Sequence, residues 1–149
     1  MFESLEQAEN ELEQSERQIE QIEDEMEEIN TALEEIEQTL ERLEGKGDQE
    51  VAESVRHNLT ERQQEKVAKE EEARQVMAEL DQVREQILEV DQWNNEAHQE
   101  IGNLQQLGEN VGDAATRIAD RERAVEAMED RYKDGKNRLN QIIQSSGYA

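Results

Sequence analysis

Residues 5–43 read LEQAENELEQSERQIEQIEDEMEEINTALEEIEQTLERL, and apolar residues recur along this stretch in alternating steps of three and four. The positions on that stepping are Leu5, Ala8, Leu12, Ser15, Ile19, Ile22, Met26, Ile29, Leu33, Ile36, Leu40 and Leu43. Only Ser15 among them is polar. A repeat that averages ~3.5 residues keeps one apolar stripe along one side of a helix, which is typical of coiled coils. The stretch is therefore predicted to be a single long helix that packs along this seam.

Two glycine-containing segments interrupt the chain, at 45–48 and at 108–113. Each offers glycines that tolerate positive φ, followed by an aspartate, Asp48 or Asp113, that could cap the next helix. We predict helix 1 over about 3–44, helix 2 over about 49–107 and helix 3 over about 113–145, within a single elongated domain spanning 1–149. Residues 145–149 are expected to fray.

The seam of helix 2 is less regular than that of helix 1. Its apolar stepping is broken by Arg62, Lys66, Lys69 and Asn94, and it is densest between residues 76 and 90. The dense part contains Val76, Met77, Leu80, Val83, Ile87, Leu88 and Val90. A stripe wider than a two-position seam predicts that this part of helix 2 contacts both of the other helices. The basic seam residues are expected to reach glutamates of helix 1 with their charged ends.

The chain carries 40 acidic and 16 basic residues, a formal charge of −24. The charge is −15 over 1–44, −8 over 49–107 and −1 over 108–149. A parallel pair of helix 1 copies would place glutamates opposite glutamates, so helix 1 is expected to fold back on helix 2. We expect Glu37 near Arg56, Asp24 near Lys69, and the arginines of helix 3 on helix 2, with Arg131 near Glu89. The predicted fold is all-α, an elongated antiparallel coiled-coil hairpin with a third packing helix.

Composition excludes several functional classes. The chain has no cysteine, no signal-like start and no apolar run of the ~20 residues needed to cross a bilayer. Its negative charge disfavours nucleic acid and anionic membranes as partners. We expect a cytoplasmic or virion-associated protein. His57 and His98 lie far apart in sequence, so no catalytic, metal or cofactor site is expected.

Five residues are candidates for partner binding. Trp93 is expected to pack near the start of helix 1, with a partner-binding anchor as the alternative. Asn94 either fixes register or oligomeric state as a buried polar seam residue, or marks a bend or the level where helix 1 ends. Glu23, Glu27 and Glu34 represent the acidic outer face of helix 1.

The leading functional hypothesis is a non-enzymatic structural or interaction protein. It would act as an acidic coiled-coil scaffold or adaptor through helix–helix contacts, with self-association left open. The alternative is an acidic chaperone or decoy that holds a basic partner, such as a capsid protein, an export substrate or a nucleic-acid-binding protein, by charge complementarity.

Overall fold

The computed structural model describes residues 2–47 and 49–144, with side chains from residue 5 onwards. It contains three helices, α1 (Phe2–Lys46), α2 (Gln49–Gln106) and α3 (Gly112–Gln144), and no strand among these residues. The predicted all-α fold, an antiparallel hairpin with a third packing helix, is confirmed. Each helix begins and ends within two residues of its predicted position. The predicted cap at Asp48 and the predicted frayed end at 145–149 lie outside the described residues.

A glycine with positive φ lies at each break between helices. Gly47 has φ 76° and Gly108 has φ 83°, a conformation that side chains with a Cβ adopt at a cost. After α2, the Glu109 N–H donates to the Leu104 carbonyl at 3.1 Å and the Gly108 N–H donates to Gln105 at 3.0 Å. This pair of bonds is a Schellman motif, which satisfies the last carbonyls of α2.

The start of α3 differs from the prediction. The Asn110 side chain accepts a hydrogen bond from the Gly112 N–H at 3.3 Å. Asn110, rather than the predicted Asp113, therefore caps the start of this helix. Asp113 lies inside the first turn and pairs with Arg117 at 3.5 Å. Its carboxylate still lies near the N-terminus of the helix, where negative charge is favourable.

The chain forms two compact units, each built from segments of all three helices. The first unit contains the residues up to 16 together with 77–137, and the second contains 17–76 together with the residues from 138 onwards. The buried apolar side chains of the first unit are Ala8, Leu12, Leu80, Val83, Ile87, Val90, Ile118, Val125, Met128 and Tyr132. They come from the predicted seams, so three helical stripes meet in one core. Leu88 is 44% exposed and is not part of that core, contrary to expectation.

The second unit has a narrower core. Its buried apolar side chains are Ile19, Ile22, Met26, Ile29, Leu40, Ala52, Ala73, Val76, Leu139 and Ile142. The α3 helix supplies only the last two of these and ends at Gln144. The seam residues Leu33, Ile36, Val55 and Leu59 are half-buried. Two helices cover a seam less completely than three.

Cross-helix pairs fix the register within each unit. In the first, Gln86 donates to Glu11 at 2.8 Å and Tyr132 donates to Asp81 at 2.5 Å. In the second, Arg56 pairs with Glu44 at 2.7 Å rather than with the expected Glu37. The predicted contact between Arg56 and Glu37 was therefore wrong, whereas Lys69 pairs with Glu25, one residue from the predicted Asp24.

Candidate functional site

The five candidate residues have different environments. In the first unit, Trp93 is 56% exposed, whereas Asn94 beside it is fully buried. In the second unit, Glu23 is half-buried, whereas Glu27 and Glu34 are exposed. The structure therefore separates residues that could meet a partner directly from residues held inside the helix packing.

Arginines of α3 neutralise α1 rather than α2. In the first unit Arg131 Nε donates to Glu16 at 3.1 Å, and in the second unit Arg138 Nε donates to Glu23 at 3.0 Å. The hydrogen bond with Glu16 raises the pKa of Arg131. The expected contact of Arg131 with Glu89 was wrong. The two arginines are seven residues apart, so both lie on the same flank of α3. The prediction had assigned the arginines of this helix to α2 alone.

Lys69, a basic residue in the seam of α2, joins α2 to α1 in the second unit. Its ammonium forms an ion pair with Glu25 and a second one, at 3.0 Å, with Glu72. The hydrogen bond from Lys69, followed by one from Gln21, lowers the pKa of Glu25, and the bond to Glu25 raises the pKa of Lys69. The expected contact to a glutamate of α1 is confirmed for this lysine, although the partner is Glu25 and not Asp24.

The acidic face of α1 is exposed in the second unit. A shallow groove of about 560 Å³ is lined by Asp24, Glu27, Glu28, Thr31, Ala32 and Glu35. No ion pair within the described part of the chain neutralises these four carboxylates. This surface, here named the acidic face, contains one of the predicted glutamates, Glu27.

A polar network surrounds Tyr132 in the first unit. Its buried hydroxyl donates to Asp81 and accepts a hydrogen bond from Lys136 Nζ at 3.2 Å. The Arg84 guanidinium lies 5.1 Å from the ring centroid, within cation–π range. The hydrogen bond with Tyr132 raises the pKa of Lys136. The sequence placed Tyr132 in the seam but did not predict the network, because two of its members, Asp81 and Arg84, lie on another helix.

An apolar stripe is exposed near the end of α2 in the first unit. Trp93 is 56% exposed, Leu104 42% and Leu107 78%, whereas Val83 and Val90 earlier in the helix are buried. We call Trp93, Leu104 and Leu107 the apolar stripe. Trp93 is therefore partly packed, and both roles predicted for it, packing near the start of helix 1 and anchoring a partner, remain predictions.

Asn94, next to Trp93 in the chain, is 0% exposed. Neither its Oδ1 nor its Nδ2 has a hydrogen-bond partner among the residues that the structure describes. A buried amide without partners costs about 1–3 kcal/mol. Asn94 is therefore a costly seam residue, which is the property expected of a residue that selects one register over others.

The described residues contain no group of three or more side chains suited to hold a metal ion. A cavity of about 160 Å³ lies between α2 and α3 in the first unit, with His98 Nδ1 and Glu122 3.3 Å apart at its edge. That volume is below the ~300 Å³ at which small-molecule pockets usually begin. No helix in the described part of the chain has a segment apolar enough to cross a membrane.

Comparisons with protein-family models, with curated proteins and with solved structures give no match for this chain.

Replacing the buried amide should stabilise the protein. We expect Asn94→Leu to raise the free energy of unfolding by about 1–3 kcal/mol, because it removes two buried polar atoms that have no hydrogen-bond partner among the described residues. Urea denaturation followed by circular dichroism measures the change. Asn95→Leu, at the exposed neighbouring position, is the control and should stay within about 0.5 kcal/mol. Destabilisation by Asn94→Leu would contradict this interpretation of Asn94.

The Glu25–Lys69 pair should stabilise the fold only over a defined pH range. Since the folded pKa of Glu25 is below its usual 4.5, its contribution is present above pH 4.5 and is lost as the pH falls through the lowered pKa. Since the folded pKa of Lys69 is above its usual 10.5, its contribution is present below pH 10.5 and is lost as the pH rises through the raised pKa.

Lys69→Met should therefore destabilise the protein, by at most about 1 kcal/mol for a partly exposed pair, between these two pH values. The difference from the wild type should shrink in acid, when Glu25 becomes protonated. Denaturation at a series of pH values measures it. Lys133→Met, at an exposed position, controls for the loss of one positive charge. Equal effects of the two substitutions at neutral pH would show that the pair contributes nothing specific.

Proposed function

We propose that this protein is a non-enzymatic interaction protein, an acidic coiled-coil scaffold or adaptor that works through helix–helix contacts with protein partners. The single observation that carries the proposal is the apolar stripe. Three large side chains are exposed there: Trp93 and Leu104 near the end of α2, and Leu107 directly after it. Exposed apolar side chains along one side of a helix are suited to receive another helix.

The rest of the seam supports the same function. The first unit fills its interior with apolar side chains from three helices, so Trp93 and Leu104 lie on a packed helix, and Leu107 lies in the turn directly after it. A surface fixed in this way binds without a large cost for ordering. Trp93 is also of the residue type most often found at the energetic centre of protein interfaces.

Affinity capture with matched variants tests the proposal. Purified wild-type protein, the double variant Trp93→Gln with Leu107→Gln, and Leu88→Gln would each be exposed to extract of the source cells, and the captured proteins would be quantified by mass spectrometry. Leu88 is the control because it is an exposed leucine of the same helix outside the stripe. We expect partners that are retained by Leu88→Gln and lost with the double variant. Identical captured sets for all three proteins would overturn the proposal.

A second candidate function rests on the acidic face of α1. Asp24, Glu27, Glu28 and Glu35 line one groove and have no basic partner within the described residues, a surface complementary to a basic protein segment. In this alternative the protein is an acidic chaperone or decoy for such a partner. Binding through several exposed charges falls steeply with ionic strength.

A lysine-rich peptide is a direct probe for the acidic face. Isothermal titration at low and high salt should show binding that weakens at least tenfold with salt, and further when Glu27, Glu28 and Glu35 are replaced by Gln. The matched control replaces Glu79, Glu85 and Glu89, three exposed glutamates of α2, by Gln. If both triple variants bind equally, the net charge alone attracts the peptide and the acidic face is not a site.

A further inference from the structure

We propose that the cavity between α2 and α3 in the first unit binds a small organic cation, with an apolar body about the size of a benzene ring and one ammonium group. The site shares no residue with the apolar stripe or the acidic face. Its size, a glycine in its wall and the carboxylate at its edge indicate this occupant.

The cavity combines an apolar floor with a polar edge. Its volume is about 160 Å³, and its apolar side is formed by Ile101, Ala115, Ile118 and Ala119. Ile118 is 6% exposed and belongs to the core of the first unit. An apolar cavity of about 150 Å³ is large enough to bind benzene. A body of that size therefore fits here, whereas a drug-sized molecule does not.

Gly102, in the wall of the cavity, is not required by the packing of the protein. It lies inside α2, where glycine lowers the stability of a helix relative to alanine. A Cβ at this position would meet no side chain and no other helix of the described residues within 4 Å, and Gly102 does not have a positive φ. The space that the missing side chain leaves is open to a ligand, which could approach the backbone of α2 closely.

Glu122 supplies a negative charge at the edge of the cavity. Its Oε1 lies 3.3 Å from His98 Nδ1, and this pair holds the carboxylate between α2 and α3. Its other oxygen, Oε2, has no partner among the described residues. Arg123, the next residue of α3, pairs with Asp120 instead. An ammonium that replaces water at Oε2 would gain a charge-assisted hydrogen bond.

The charge around the cavity favours a cation over an anion. From residue 85 to residue 116 the chain contains no lysine and no arginine, whereas Glu96 and Glu100 flank His98 on α2. The formal charge of the whole chain is −24, which attracts cations and repels anions. A ligand with an ammonium group is therefore favoured at Glu122, and a ligand with a carboxylate is not.

Two probes of the same shape test the role of the charge. Benzylamine is positively charged at neutral pH, and benzyl alcohol is its uncharged counterpart. In an NMR titration benzylamine should shift the amide signals of Ile101, Gly102 and Ile118, and benzyl alcohol should bind about fivefold more weakly, the effect of a partly exposed ion pair. Glu122→Gln should remove this difference by weakening benzylamine alone. Glu126→Gln, exposed one turn further along α3, is the matched control and should preserve it.

A substitution that fills the cavity tests its location. Gly102→Leu should abolish the binding of both probes, because the new side chain occupies the space that the ring would take. Gly45→Leu is the matched control, since Gly45 is also a helical glycine with no neighbour within 4 Å but lies in the second unit. Circular dichroism of each variant verifies that the helices persist.

Three results would overturn the proposal. The first is the absence of signal shifts at Ile101, Gly102 and Ile118 at millimolar concentrations of benzylamine. The second is equal affinity of the wild type for the two probes, which would show that the carboxylate takes no part. The third is unchanged binding by Gly102→Leu, which would place the probes elsewhere on the protein.

Discussion

The heptad seam of α1 is the constraint on which the rest of this structure depends. Leu12, Ile19 and Ile22 are almost completely buried, and each such side chain contributes about 1.5–3 kcal/mol when removed from water. The helix is otherwise covered with carboxylates, which repel one another along its length. Burial of the seam against α2 and α3 offsets most of that repulsion, and the basic residues that pair with α1 are held in place by the same packing.

The basic residues stabilise the same helix packing. Lys69 from α2 and the pair Arg131 and Arg138 from α3 each reach glutamates that flank the α1 seam. Their aliphatic stems cover apolar surface while their charges lower the repulsion on α1. The negative charge that these residues do not compensate lies on the outer side of α1, and this is where the acidic face is found. A charge total alone does not reveal where such a surface lies.

Two neighbouring residues of α2 in the first unit have opposite environments. Asn94 is buried without a hydrogen-bond partner among the described residues, whereas 56% of Trp93 is exposed. Successive residues of a helix point about 100° apart, so one can belong to the core while the next faces outwards. We place the partner-binding surface on the outward side, at Trp93.

The sequence by itself determined the number of helices, their ends to within two residues, and the seam positions, because heptad spacing and glycine breaks are local signals. It also indicated that residues 76–90 contact two helices. Only the tertiary structure decided which carboxylate each basic side chain meets and that α3 neutralises α1. It also decided that Trp93 lies on an exposed side of α2 while the seam residue beside it, Asn94, is buried. These depend on the relative register of separate helices, and long charged side chains fit several registers almost equally well, whereas interlocking apolar seams select one.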